Sequence, residues 1–147
     1  MYTPILHTHN TLRWVILALG IAVIIQAVQG FGGDRPYAKA RRTSVFFTAA
    51  LHVQLLLGLA LFGVSPFMKR VFGDMAASMA DPSRRFFVAE HPTLMVIATI
   101  LMTVGGLVAK NAKDDASRHR KLGAFTLATF LLILAGIPWQ RALFPGM

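Results

Sequence analysis

Residues 43–68 read TSVFFTAALHVQLLLGLALFGVSPFM and contain no Asp, Glu, Lys or Arg. A helix crosses the roughly 30 Å hydrocarbon core of a bilayer in about 20 residues, so this stretch is long enough to do so. Lipid offers no hydrogen bonds, and a segment placed there must satisfy its own N–H and C=O groups, which a helix does. Three further stretches, 14–33, 91–109 and 122–140, are equally free of charge. They predict spans at about 12–31, 43–66, 91–109 and 121–139 within one domain covering 1–147. The expected fold is all-α: an integral membrane, antiparallel four-helix transmembrane bundle with short connections at one end.

Composition points the same way. Of the 147 residues 55% are hydrophobic and 14% charged, too few charges to coat a soluble domain of this size. A net charge of +9 in a soluble chain would suggest a polyanion. Here the basic residues sit at the ends of the apolar stretches, so anionic headgroups suffice as partners and no nucleic acid is implied. Arg35, Lys39, Arg41, Arg42, Lys110, Lys113, Arg118, Arg120 and Lys121 fall at one face. Arg13, Lys69, Arg70, Arg84, Arg85 and Arg141 fall at the other. The denser cluster lies in the short first and third loops, which the positive-inside rule places in the cytoplasm. The expected location is the bacterial inner membrane, with both termini periplasmic. Trp14 and Trp139 read as anchors at the outer interface.

The chain has no cysteine, which excludes disulfides, thiolate catalysis and Cys-ligated zinc or iron–sulfur sites. Arg13 before an apolar run resembles a signal peptide. The run is long for that role, and Ala27 with Gln29 makes a poor cleavage site, so it reads as a retained span. In the second, outer loop, Met68, Val71, Phe72, Met75 and Met79 recur at three- and four-residue spacing and predict one short amphipathic helix, ended at Asp81-Pro82. Pro92 suits a first helical turn, so the third span starts near His91. Ala18 with Ala22, Gly105 with Ala109 and Ala124 with Ala128 are spaced as close helix contacts.

The residues able to carry chemistry are histidines and their polar neighbours. His52 and Gln54 lie near mid-membrane, where polar groups are costly and face the protein interior. His52 is held there by an interhelical hydrogen bond, ligates a haem or chlorophyll-type pigment, or relays a proton. His7, His9, His91, Glu90 and Arg13 gather at the outer face. They suit an axial haem pair, a copper or zinc site, or an interfacial network in which Glu90 pairs with Arg13 or Arg85. His119, within RHRK, reads as a solvated loop residue. Depth separates the pairings. At 1.5 Å per residue, His52 lies roughly 4 Å to the cytoplasmic side of its helix centre and His91 roughly 10–14 Å outward of its own. They cannot share one iron, whereas His91 matches His7 or His9. No phosphate loop, HExxH motif or nucleophile elbow is present. No acidic residue lies within a span, which argues against an ion-coupled transporter.

The segments LHTHNTLRW, LHVQLLLGLALFGVSP, RRFFVAEHPTLMVIATILMTVG, RHRK and ILAGIPWQR resemble, in that order and over nearly the whole chain, an uncharacterised family of small bacterial four-helix integral membrane proteins, some of them labelled cytochrome b-like. His7, Arg13, His52, Gln54, Arg85, Glu90 and His91 are the shared polar positions. The resemblance implies the architecture and brings no established activity with it. The sequence therefore favours a non-enzymatic accessory subunit stabilising a larger respiratory or photosynthetic membrane complex. The alternative is a small b-type cytochrome passing electrons at the outer face, with haem b held by His91 and His7 or His9.

Overall fold

Helix formation begins well before the apolar run does. In the structure, a computed structural model that describes residues 1–139, α1 spans Tyr2–Gln29. His7 and His9 therefore lie on helix, not in the polar entry segment that their composition suggests. α1 stops at Gly30, and Gly33, at φ +85°, adopts the left-handed turn that an L side chain rarely takes. α2 follows as Tyr37–Val64.

The outer segment is built from caps. The Ser65 hydroxyl accepts from the Met68 N–H and starts α3, Pro66–Gly73, with Pro66 in its first turn. Asp74 breaks the expected single amphipathic helix and caps α4, Met75–Ala80. Asp81 caps α5, Pro82–Arg85, by accepting from the N–H groups of Ser83 and Arg84. Met68 and Val71 are buried, while Phe72, Met75 and Met79 are exposed. Two of the five residues of the predicted apolar face thus point into the protein and three point away from it.

The chain then enters α6, His91–Lys110, through a π-helical turn over Phe86–Glu90. Pro92 accounts for the turn. It has no N–H to give and its ring crowds the carbonyl four residues back, so the backbone widens locally. The N–H of His91 reaches instead to the carbonyl of Phe86, five residues away. α7, Asp115–Gly136, starts at an Asp114 cap whose carboxylate accepts from the Ser117 N–H at 2.7 Å.

The four long helices lie side by side, α1 against α2 and α7, and α6 against α2 and α7. Their core includes Ile16, Val23, Phe47, Leu51, Ala98, Met102, Leu122 and Ile133. Two buried hydroxyls return to their own helices, Ser44 to the Arg41 carbonyl and Thr99 to that of Met95, while Thr126 donates across to Sδ of Met102 on α6. The outward faces are as apolar as the core: Ile21, Ile25, Val45, Phe46, Leu56, Leu59, Ile100, Leu107, Leu127 and Leu131 are all exposed. Such a belt is what lipid covers.

Three helical stretches among the described residues are long and apolar enough to cross a membrane: Tyr2–Gln29, Tyr37–Val64 and the continuous Pro82–Lys110. α7 is the exception, for a physical reason. Arg118, Arg120 and Lys121 occupy its first two turns, and the helix stops at Gly136, before the expected 139. The uncharged part, 122–136, is about 22 Å long at 1.5 Å per residue. Of the small-residue pairs, only Gly105 with Ala109 is buried; Ala18, Ala124 and Ala128 are exposed.

Candidate functional site

Once 1–13 is helical, His7 and His9 cannot face the same way, because residues two apart on a helix diverge by about 200°. His9 turns inward. Its ring centre lies 6.3 Å from that of His91, with the ring planes at 69°. His7 is exposed at the rim of the same cavity. The cavity holds about 450 Å³, within the range of small-molecule sites. Ile16, Leu51, Leu61, Phe62, Met68, Met95, Ile133 and Ile137 make most of it apolar. Its polar groups are His7, His9, Asn10, Arg13, Gln54, Ser65 and His91, with Tyr2 at the end of α1.

The chemistry of the two rings is set by their partners. Nδ1 of His91 lies 2.6 Å from the carbonyl of Gly136. A carbonyl can only accept, so Nδ1 carries the hydrogen and Nε2 of the neutral ring is left as the lone-pair nitrogen. Gly136 is the last residue of α7, one of the four whose carbonyls have no partner inside the helix. A backbone carbonyl holding one imidazole nitrogen is the usual way a ligating histidine is oriented. His9 is placed by Gln54, whose amide donates to the His9 carbonyl across α1 and α2 at 3.0 Å. Nδ1 of His9 and Oε1 of Gln54 are buried without a hydrogen-bond partner among the described residues. Gly58 lies beside His9, where an added Cβ would stand 3.5 Å from its Cε1. Phe86 and Phe87, from the π turn, flank the other ring with centroids 6.1 and 6.4 Å from His91.

An imidazole nitrogen binds a first-row metal at about 2.0–2.1 Å and lies about 1.1 Å from its ring centre, so a metal between two imidazoles puts the centres roughly 6.3 Å apart. His9 and His91 stand at that separation. The pair, the adjoining apolar volume and the orphaned Nδ1 fit a bis-imidazole haem. They do not fit a protein-only copper or zinc centre, because no three His, Cys, Asp or Glu side chains converge among the described residues.

Other candidates lie elsewhere. His52 is exposed on the outside of α2 and donates through Nδ1 to the carbonyl of Thr48 at 2.8 Å. Its Nε2 is 3.5 Å from Thr103 on α6, so it is tied to helix backbone and lies outside the cavity. Its apolar neighbours in sequence hide the fact that this face of α2 points outward. Glu90 pairs with Arg85 at 2.8 Å, both half-exposed, and neither lines the cavity. Arg13 is 8% exposed, lies over the Trp14 ring at 5.4 Å and forms part of the cavity wall. Arg141 lies outside the described residues.

His119 overturns its reading as a solvated residue. It is 2% exposed, donates through Nε2 to the Arg35 carbonyl, and meets Tyr37 edge-on at 5.5 Å. Gly30 makes room for its ring, because any Cβ there would overlap it. The Tyr37 N–H donates to Asp115, which also pairs with Arg118 at 2.9 Å, and Arg120 donates to the Phe31 carbonyl. These contacts tie the loop after α1 to the start of α7, at the end opposite the cavity. Comparison with family models, curated proteins and solved structures finds no match for this chain.

Proposed function

We propose that this protein is a small membrane cytochrome of b type, with haem held between His9 and His91 at the outer ends of α1 and α6. The observation that carries the reading is the paired rings, 6.3 Å apart beside a cavity of about 450 Å³. The Gly136 carbonyl leaves Nε2 of His91 as the nitrogen available to a metal. Bound between two imidazoles, haem supplies one-electron transfer. The chain's own part is to hold the two rings at fixed separation, to fix the tautomer of His91, and to exclude water with Phe62, Met68, Met95 and Phe87. An accessory role within a larger respiratory or photosynthetic complex is compatible with this chemistry, and is what remains if no pigment is bound.

The finer architecture belongs to the same proposal. α7 is read as a fourth span, short in apolar length but packed along α1 and α6, in an antiparallel bundle of the bacterial inner membrane. Its charged first turns sit with loops 30–36 and 111–114, and with the basic residues Lys39, Arg41, Arg42 and Lys110 that flank them, on the cytoplasmic side. Both termini and α3 to α5 then face the periplasm.

The deciding measurement is an absorbance spectrum of the purified protein. The reading expects a Soret band at ~410–430 nm that shifts on reduction, as for a histidine-ligated haem. The band is lost or converted to a weaker, singly ligated form in His91→Ala and in His9→Ala, and is kept in His52→Ala and His7→Ala. A colourless protein that co-purifies in fixed ratio with a larger complex would sink the cytochrome reading and favour the accessory one.

A further inference from the structure

A polar atom at mid-membrane needs a partner, and one nitrogen of His52 lacks it. His52 stands near the middle of α2, exposed on the outside of the bundle. Its Nδ1 is 2.8 Å from the Thr48 carbonyl, which can only accept, so Nδ1 carries the hydrogen and Nε2 keeps the lone pair. Facing Nε2 is the Thr103 hydroxyl at 3.5 Å. That hydroxyl has a single hydrogen, which goes to the Thr99 carbonyl at 2.7 Å. Nε2 and the Thr103 oxygen thus meet as two acceptors, and Nε2 has no donor among the described residues. Lipid tails cannot supply one, and an imidazole within a membrane is expected to face protein. The surface around it is otherwise hydrocarbon, with Leu56, Leu59 and Ile100 all exposed. One turn nearer the outer face, a recess of about 70 Å³ lies in the seam between α2 and α6, with Leu55, Leu59, Val96 and Thr99 among its walls.

We infer that this α2–α6 face docks a transmembrane helix of another protein, which brings a hydroxyl or N–H donor to Nε2 of His52 and an apolar side chain to the recess. The inference does not depend on the haem reading, because His52 lies outside the main cavity. A second copy of this chain is the poorer occupant. A two-fold axis through this face would set one His52 against another. Each would be held by its own Thr48 carbonyl with its lone pair outward, and two acceptors do not bond. A foreign helix with Ser, Thr, Tyr or Asn at that depth does. Hydrogen bonds between helices in a membrane change association by roughly 3- to 20-fold. The imidazole therefore sets the depth and rotation of the partner, and packing over Leu56 and Ile100 supplies the contact.

The test places a photo-reactive residue in the full-length chain, in the membranes of its own cells, in place of Leu56 or Leu59. Leu127 and Leu131 serve as controls: both are exposed on α7, the helix diagonal to α2. A protein adduct is expected from the two α2 positions and none from the α7 positions. Mass spectrometry of the adduct should place the crosslink in a transmembrane segment, with a donor side chain within a turn of it. His52→Leu should lower the yield roughly 3- to 20-fold. His52→Gln, whose amide oxygen can accept, should keep most of it. Lipid adducts alone, or equal protein adducts from all four positions, overturn the inference. So does an adduct of twice the chain's mass, which makes the occupant a second copy. A yield unchanged in His52→Leu removes the imidazole from the contact and overturns it too. A visible absorbance band that is lost in His52→Leu but kept in His9→Ala and His91→Ala would make Nε2 a pigment ligand, which equally refutes it.

Discussion

Gly105 and Gly106 are neighbours on α6, and adding one methyl group to each in turn separates packing from propensity. A Cβ on Gly105 would overlap the Cβ and Cγ of Phe125 on α7, whereas a Cβ on Gly106 would meet nothing within 4 Å. The atoms struck at 105 are next to the α7 backbone, so they cannot swing away as the tip of a long side chain would; α7 itself has to move. Overpacking of this kind costs about 1–3 kcal/mol. Both substitutions gain the same helix propensity, up to about 1 kcal/mol for Gly to Ala and less where the unfolded helix stays in lipid. That gain cancels in the comparison. Gly105→Ala is therefore expected to be about 1–3 kcal/mol less stable than Gly106→Ala. Gly106→Ala should equal or slightly exceed the parent. Unfolding in mixed micelles titrated with a denaturing detergent, followed by circular dichroism and by Trp14 and Trp139 fluorescence, measures the difference. Equal stability of the two variants, or a more stable Gly105→Ala, would refute the close α6–α7 contact. With it would go the main support for α7 as a fourth span.

His119→Ala empties a buried site and leaves the Arg35 carbonyl and the Tyr37 edge without their partner, so a loss of about 2–4 kcal/mol is expected. His52→Ala should cost under about 1 kcal/mol in the same detergent titration, and the reverse order would reject the placement of both rings. The carboxyl of Asp114 is held below its usual value of 3.8 by hydrogen bonds from Ser117, and that of Asp115 by the Arg118 side chain and the Tyr37 N–H. Both pKa values are lower folded than unfolded, so their support for the start of α7 is present above pH 3.8 and fades as pH falls through the lower folded values. Hydrogen exchange over 111–118 should rise only in strong acid, and Asp115→Asn should show part of that rise already at neutral pH; exchange that rises between pH 7 and 5 would contradict the assignment. For orientation, single cysteines in this cysteine-free chain serve as probes: Ser83→Cys should react with an impermeant maleimide in intact cells and Asn111→Cys only after permeabilisation. The opposite pattern would invert the topology.

What was legible in the sequence was whatever depends on composition along one segment. Uncharged runs marked the three helical stretches apolar enough to span, and basic clusters marked the ends, because burial in lipid acts on each segment separately. Depth reasoning likewise paired His91 with the first segment and kept it from His52, since rise per residue is a property of one helix. What escaped depended on rotation about the helix axis. His52 was expected inward because polar groups in lipid are costly; it lies outward because the Thr48 carbonyl and the nearby Thr103 meet its nitrogens on the surface. His119 reads as solvated because RHRK is basic, yet it is buried on α7 with Leu122, Gly123 and Thr126, and Gly30 admits the ring. The carbonyl of Gly136 carried no signal at all, since a backbone acceptor has no side chain to recognise.

The choice between His7 and His9 shows how one local event decides the site. Composition alone makes 1–13 a polar entry, in which either imidazole could turn toward His91. Helix formation from Tyr2 removes that freedom: it commits His9 to the interior, sends His7 to the rim and sets Arg13 one turn below His9 on the same face. On α6 the corresponding event is Pro92. Without its π turn, the residues before His91 would carry an ordinary α-helical register, and Phe86 and Phe87 would be rotated away from the ring they now flank. Replacing Pro92 by Ala restores the missing N–H and allows that register. The haem reading therefore expects Pro92→Ala to loosen haem binding with only a small change in stability, although residue 92 bears no group that could touch the metal.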